Sequence, residues 1–186
     1  IKVILRGEVI SGEYHLVRTG QQQGKDQWLV FRAAAAGPGT PDPAQRFRTL
    51  RPMLAIPAST PFDDDDWTFE IKWDGYRVLA LVTADGTELR SRTGRSLNDR
   101  FPQLTDLRRA FDCQEAVVDG EVCVLDAAGR SRFQDLQSGR GTPTLIVFDL
   151  LECDGEWLGD LTYVERRRRL RDVLAGAARS DVMLSD

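Results

Sequence analysis

The run "AAAAGPGTPDPAQ", residues 33–45, constrains the fold of this chain most. It is rich in Ala, Gly and Pro and has no periodic apolar face, so it reads as an interdomain linker over residues 33–48. Ahead of it, "KVILRGEVISG", "EYHLVRTG" and "QWLVFR" alternate apolar and polar residues around the polar turn "QQQGKD", which predicts three β-strands within residues 1–32. Three short strands bury little surface by themselves. They read as the closing strands of a domain whose beginning lies elsewhere. The start "IKVILRGEVI" has neither an initiator Met nor a signal-peptide layout, which predicts a piece of something longer.

The remainder, residues 49–186, is long enough for one well-buried domain. A composition of 41% hydrophobic and 29% charged residues is that of a soluble globular protein. No apolar run approaches the roughly 20 residues of a membrane span. Three widely spaced cysteines, Cys113, Cys123 and Cys153, form no metal motif and point to a reducing, cytoplasmic setting. A net charge of -4 excludes a grip on nucleic acid by net charge alone but leaves room for local basic patches.

Strands are expected at "WTFEIKW" and "YRVLALVT", separated by Asp74-Gly75, and at "TELRSR" after the turn "ADG". "EAVVDGEVCVLD" reads as a strand pair or a bulged strand, "TLIVFDLLE" as a fully apolar strand ending in acids, and "DVMLSD" as the start of another. "SLNDRFPQLTDLRRAF" has helical spacing at Phe101, Leu104, Leu107 and Phe111, with Asn98 or Asp99 as N-cap and Pro102 in the first turn. "TYVERRRRLRDVLAGAA" is a helix with Thr162 and Glu165 as a capping box. Strands meeting at tight hairpins among helices predict an α+β fold with antiparallel pairing.

Chemistry is concentrated in "FEIKWDGYRV", residues 69–78. The chain has three lysines, Lys2, Lys25 and Lys72, among 25 basic residues. Arg stays protonated, whereas Lys can lose its proton and attack an electrophile, so Lys72 is a candidate nucleophile. The plain alternative is a surface strand and hairpin. Glu70 and Asp74 share its side of an ideal strand, and Arg77 is placed to meet a phosphate or ribose. "ELRSRTGRS" gathers Arg90, Arg92 and Arg95 at a Thr-Gly turn, with a solvated loop the favoured reading for Arg90 and Arg95. Asp119 and Glu121, two apart, share one face of an apolar strand and are candidate Mg²⁺ ligands or turn caps. Phe148 reads as core by itself. The acids Asp63–Asp66 and the run Arg166–Arg169 read as solvated faces, with a phosphate patch as the alternative for the arginines. His15 reads as packed or exposed rather than as a ligand.

The series "KWDGYR", "SRTG", "VDGEV" and "FDLL" resembles the nucleotidyltransferase motifs of ATP-dependent DNA ligases over residues 50–186. "RPMLA" and "RFQDLQ" are similar to the ligase domain of bacterial end-joining enzymes of the ligase D type, and "GEYHLVRTG" with "KDQWLVFR" to the last strands of their phosphoesterase domain. The resemblance implies an adenylation domain of antiparallel sheets flanked by helices, with residues 49–186 its truncated N-terminal part. It implies that Lys72 attacks the α-phosphate of ATP to give lysyl-AMP, passed on to a DNA 5′-phosphate in double-strand break repair. Arg77 and Arg92 would contact ribose and phosphate, Glu121 the ribose or a Mg²⁺ (or Mn²⁺) ion through water, Phe148 the adenine face and Glu70 the adenine edge, with Asp74 in support. Nicked or broken duplex DNA and a Ku-type end-binding protein are the implied partners, in a bacterial cytoplasm at the nucleoid and away from membranes. The family's later E-G-x-V-x-K motif is absent after residue 160. The rival readings are an RNA ligase or capping-type nucleotidyltransferase, and a non-catalytic module that binds nucleotide or DNA.

Overall fold

The computed structural model describes residues 2–6, 11–22, 25–32, 43–65, 67–174 and 181–185. Two units separate, residues 1–41 and 42–186. In the first, β1 (Lys2–Arg6), β2 (Ser11–Gln22) and β3 (Lys25–Arg32) form an antiparallel sheet in the order β1-β2-β3, as the alternation predicts.

The second unit is built on a six-stranded sheet of β4 (Tyr76–Thr83), β5 (Gly86–Ser91), β6 (Ala116–Val124), β7 (Pro143–Cys153), β8 (Glu156–Trp157) and β9 (Val182–Leu184). The order is β5-β4-β6-β7-β8, and β9 adds to β7 in parallel, the one parallel pair among the described residues. Helices α1 (Pro43–Thr49), α2 (Phe133–Gln137) and α3 (Tyr163–Leu174) complete an α+β fold, as expected. The continuous apolar runs of β4 and β7 arise because both sheet faces are covered. On β4, Val78, Ala80 and Val82 enter the main core with Leu145 and Val147 of β7 and Leu170 of α3. Leu79 and Leu81 turn the other way, against Phe47 of α1 and Val117.

Four sequence expectations are corrected. Residues 43–48, read as linker, lie in α1, because Phe47 is fully buried and Arg46 ion-pairs with the buried Glu152 at 2.7 Å; residues 33–42 fall outside the described residues. "WTFEIKW" forms no strand, and Trp67, Phe69 and Ile71 are 62%, 61% and 52% exposed. The helix expected within residues 96–111, with Asn98 or Asp99 as N-cap, is instead two single 3-10 turns, Pro102–Leu104 and Arg108–Ala110. Its apolar spacing does describe burial, since Phe101, Leu104, Leu107 and Phe111 are all core. Asn98 does not cap: its Oδ1 accepts from the Leu89 N–H at 2.7 Å and its Nδ2 donates to the Thr87 carbonyl at 2.7 Å, so it is committed to β5. Finally, β7 is interrupted. Its register against β6 skips Phe148, between Asp119↔Asp149 and Gly120↔Val147, and skips Leu151. The bulge that "EAVVDGEVCVLD" suggested therefore lies on the partner strand. Among the described residues no helix is long and apolar enough to cross a membrane.

Candidate active site

Antiparallel register builds the site. On β4 and β6, Arg77 stands opposite Glu121 and Leu79 opposite Asp119, so Arg77 faces both acids, one directly and one on the diagonal. Arg77 forks onto Asp119, Nε to Oδ1 at 2.6 Å and Nη2 to Oδ2 at 2.9 Å. Asp119 is 4% exposed, and burial raises its pKa against the pull of Arg77. Burial lowers that of Arg77, but the bond to Asp119 and the fields of Asp119, Glu121 and Glu70 leave it above the ordinary value. Asp119 is thus the anchor that orients Arg77, with both of its carboxylate oxygens engaged by the fork.

Glu121 has a different position. It lines a cleft of about 360 Å³ with Gly75, Tyr76, Arg77, Ser91, Arg92 and Thr93. Burial pushes its carboxyl up to about 7, opposed by Arg77, by the Gly75 N–H and by Lys72. Gly75 is a packing requirement, because a Cβ there would meet the Val122 carbonyl oxygen at 2.1 Å. The "SRTG" turn closes by Gly94 N–H to the Ser91 carbonyl at 2.8 Å, leaving Arg92 exposed at its tip. Arg90 turns away to Glu88, at 2.7 Å, and to the Phe47 ring, while Arg95 is exposed.

The bulge explains Phe148. A bulged residue leaves the ladder and is re-aimed, and here the ring comes under the Arg77 guanidinium, 4.4 Å from CZ to centroid. Next to it, Asp149 receives a second fork from Arg166, Nε to Oδ1 and Nη2 to Oδ2, both at 2.8 Å. Arg167 is buried and donates to the Phe148 and Ser185 carbonyls, and Arg169 pairs with Glu156 at 2.6 Å. Of the arginine run, Arg168 alone is exposed. The run therefore docks α3 onto β7. Single-sequence reading missed Asp149, although its signal, an acid in an apolar strand facing a run of arginines, was present.

Lys72 is exposed on the segment 67–75, close enough to Glu121 for its charge to act there. The segment is tied down by Trp73 Nε1 donating to Ser185 Oγ at 2.9 Å, by the Asp74 N–H to Ser131 Oγ at 3.3 Å, and by Tyr163 Oη donating to Glu70 Oε2 at 3.0 Å. Glu70 is thus directed to α3. Of the sequence candidates, Arg77, Arg92 and Glu121 share the cleft and Phe148 joins through Arg77. Lys72 is adjacent, and Glu70 is outside the lining. Asp63–Asp65 are exposed, Asp66 falls outside the described residues, and so does the side chain of His15.

The donor set suits an ATP-like ligand, with Arg donors for phosphate and an aromatic ring for a base. It also suits a hard cation, because Mg²⁺ takes one or two carboxylates and completes its shell with water and phosphate oxygens. Glu121, in the cleft lining, would be that carboxylate. Among the described residues the one group of three ligand side chains is elsewhere, at Cys113, Cys153 and Asp154, where burial pushes the Cys113 thiol up to about 12.

Comparison with known proteins places the chain among its relatives. The ATP dependent DNA ligase domain matches residues 52–185. The multifunctional non-homologous end joining DNA repair protein LigD of Mycobacterium tuberculosis (strain ATCC 25618 / H37Rv) is 37% identical over 179 residues, 94% of this chain and 22% of that protein. The Pseudomonas aeruginosa multifunctional non-homologous end joining protein LigD is 31% identical over 216 residues, covering 92% of this chain and 26% of its own length. The chain therefore spans about a quarter or less of these relatives. A solved structure described as mycobacterial DNA ligase D complexed with ATP and MES aligns with a TM-score of 0.56 and 33% identity, over 62% of this chain and 38% of that one. With the family match running through every element from β4 to β9, the chain belongs to the ATP-dependent DNA ligase domain family.

Proposed function

We propose that residues 49–186 are the N-terminal part of the adenylation domain of a DNA ligase that forms lysyl-AMP on Lys72 and passes AMP to a DNA 5′-phosphate in double-strand break repair. Residues 1–32 are, in this reading, the last strands of a phosphoesterase-like domain. The observation that carries the proposal is the convergence of Arg77, Arg92 and Glu121 in one cleft next to the segment bearing Lys72.

In this reading the Lys72 amine attacks the α-phosphorus of ATP. A P–N bond forms, the bond to the bridging oxygen breaks, and pyrophosphate leaves. Arg77 and Arg92 offset the charge that builds on the phosphates. With its Nε and Nη2 on Asp119, Arg77 keeps Nη1 available, in a fixed orientation. Phe148 supplies a rigid ring for adenine, and Glu70 an edge contact after release from Tyr163. Glu121 would hold a Mg²⁺ or Mn²⁺ ion, which adds positive charge at the phosphates. The names of the relatives, which speak of non-homologous end joining and DNA repair, support DNA as acceptor; a Ku-type recruiter and a bacterial cytoplasmic, nucleoid-associated setting are part of the proposal.

The test is covalent labelling with α-labelled ATP and Mg²⁺, beside Lys72→Ala, with GTP in parallel. Label from ATP alone, lost in the variant, is expected. Label that persists in Lys72→Ala would assign the wrong nucleophile. Label from GTP would favour the capping-type rival, and no label from either nucleotide the non-catalytic module.

A further inference from the structure

A second cleft, of about 340 Å³, is lined by Arg100, Phe101, Leu136, Ser138, Arg140 and Gly141, among others. The two clefts have no lining residue in common and meet at a wall of two packed rings. Tyr76 lines the first cleft, and its ring packs against that of Phe101, 5.8 Å between centroids. The Arg100 guanidinium lies over this wall, 4.5 Å from the Tyr76 centroid and 5.7 Å from that of Phe101. Stacking on aromatic rings fixes a guanidinium while leaving its edge donors available.

Among the described residues no acid pairs with Arg100, and its hydrogen bond is a long one, 3.4 Å from Nη2 to the Gln137 carbonyl. Arg140, on the opposite rim, differs. Asp135 holds it at 2.9 Å, so its charge is largely offset. Gly141 has φ +81, and a Cβ there would meet Val124 Cγ1 at 2.5 Å. Among the described residues, Arg92 in one cleft and Arg100 at the other are thus two cationic positions without an acidic ion-pair partner, and the packed Tyr76 and Phe101 rings connect the two linings.

One guanidinium without converging donors is a weak site for a small anion. Such contacts become effective when they add along a polyanion, each displacing condensed counterions. We propose that Arg100 holds a backbone phosphodiester of the DNA substrate, so that the strand passes from the first cleft over the Tyr76–Phe101 wall into the second. This rests on the ligase reading above, and it assigns a residue to which none of the family motifs gives a role.

The test is fluorescence anisotropy of a labelled nicked duplex over a series of salt concentrations, with the chain, Arg100→Gln, Arg100→Lys, and Arg171→Gln on the exposed side of α3. Arg100→Gln should weaken binding on the order of tenfold at low salt and reduce the slope of log K against log salt by about one. Arg100→Lys should keep the slope, and Arg171→Gln should change nothing. An unchanged slope in Arg100→Gln overturns the proposal while the ligase reading stands. An equal loss in Arg100→Lys also overturns it, by assigning the effect to packing on Tyr76. A larger loss on duplex RNA than on DNA overturns the choice of strand. If the unaltered chain binds no DNA, the ligase reading falls first and this inference with it.

Discussion

At the scale of single residues, Glu121 is where stability and function oppose each other. Its carboxyl, pushed up to about 7 by burial, binds a proton in the folded chain that the unfolded chain releases near 4.5. Between those values the native state holds more protons, so stability falls as pH rises through the window. Glu121→Gln removes the ionisation, and its melting temperature at pH 8 should exceed that of the unaltered chain, with the difference shrinking towards pH 5. Self-labelling should move oppositely, declining in the unaltered chain as pH falls below about 7 and being weak in Glu121→Gln at every pH. Thermal melts and labelling yields across pH 5 to 8 check both. Asp119, two positions away, differs because it is consumed by Arg77. Equal spacing on a strand placed both acids on one face, and only the cross-strand partner separated anchor from candidate ligand.

At the scale of elements, α3 is held by two devices of different strength. Its N-terminus carries the capping box legible in the sequence: the Thr162 N–H donates to Glu165 Oε2 at 2.9 Å and the Glu165 N–H to Thr162 Oγ1 at 3.3 Å. Its body is docked by the Arg166 fork on Asp149, with both side chains mostly buried. Thr162→Ala should cost about 1 kcal/mol. Arg166→Met leaves Asp149 without its cation and should cost about 3 kcal/mol. Urea midpoints at constant m-value check the order, and a Thr162→Ala loss as large as that of Arg166→Met would contradict it. The cap was readable because both partners are three residues apart. The fork was not, because Asp149 and Arg166 meet only after β7 and α3 have packed. The same limit hid the Phe148 bulge, since an apolar run looks identical whether or not its ladder skips a residue.

At the scale of the whole second unit, both faces of the sheet need cover, and α1 supplies part of it through Phe47 and the Arg46–Glu152 pair. A chain starting at residue 42 should therefore melt cooperatively, whereas one starting at residue 50 should lose at least the roughly 3–5 kcal/mol of a deleted core Phe. Equal melting temperatures would show α1 to be dispensable and restore the linker reading of residues 43–48. The sequence by itself determined the fold class, the strands β4 to β7 and β9, and the four motifs that carry the family, because apolar periodicity, turn chemistry and local caps act over a few residues. Tertiary structure decided what those residues face. It converted the expected helix around Phe101 into 3-10 turns by committing Asn98 to β5, left "WTFEIKW" without a strand partner among the described residues, and assigned Asp119 to Arg77 and Glu121 to the cleft. These outcomes depend on pairings between residues tens of positions apart, and register, burial and partner exist only once the chain has closed on itself.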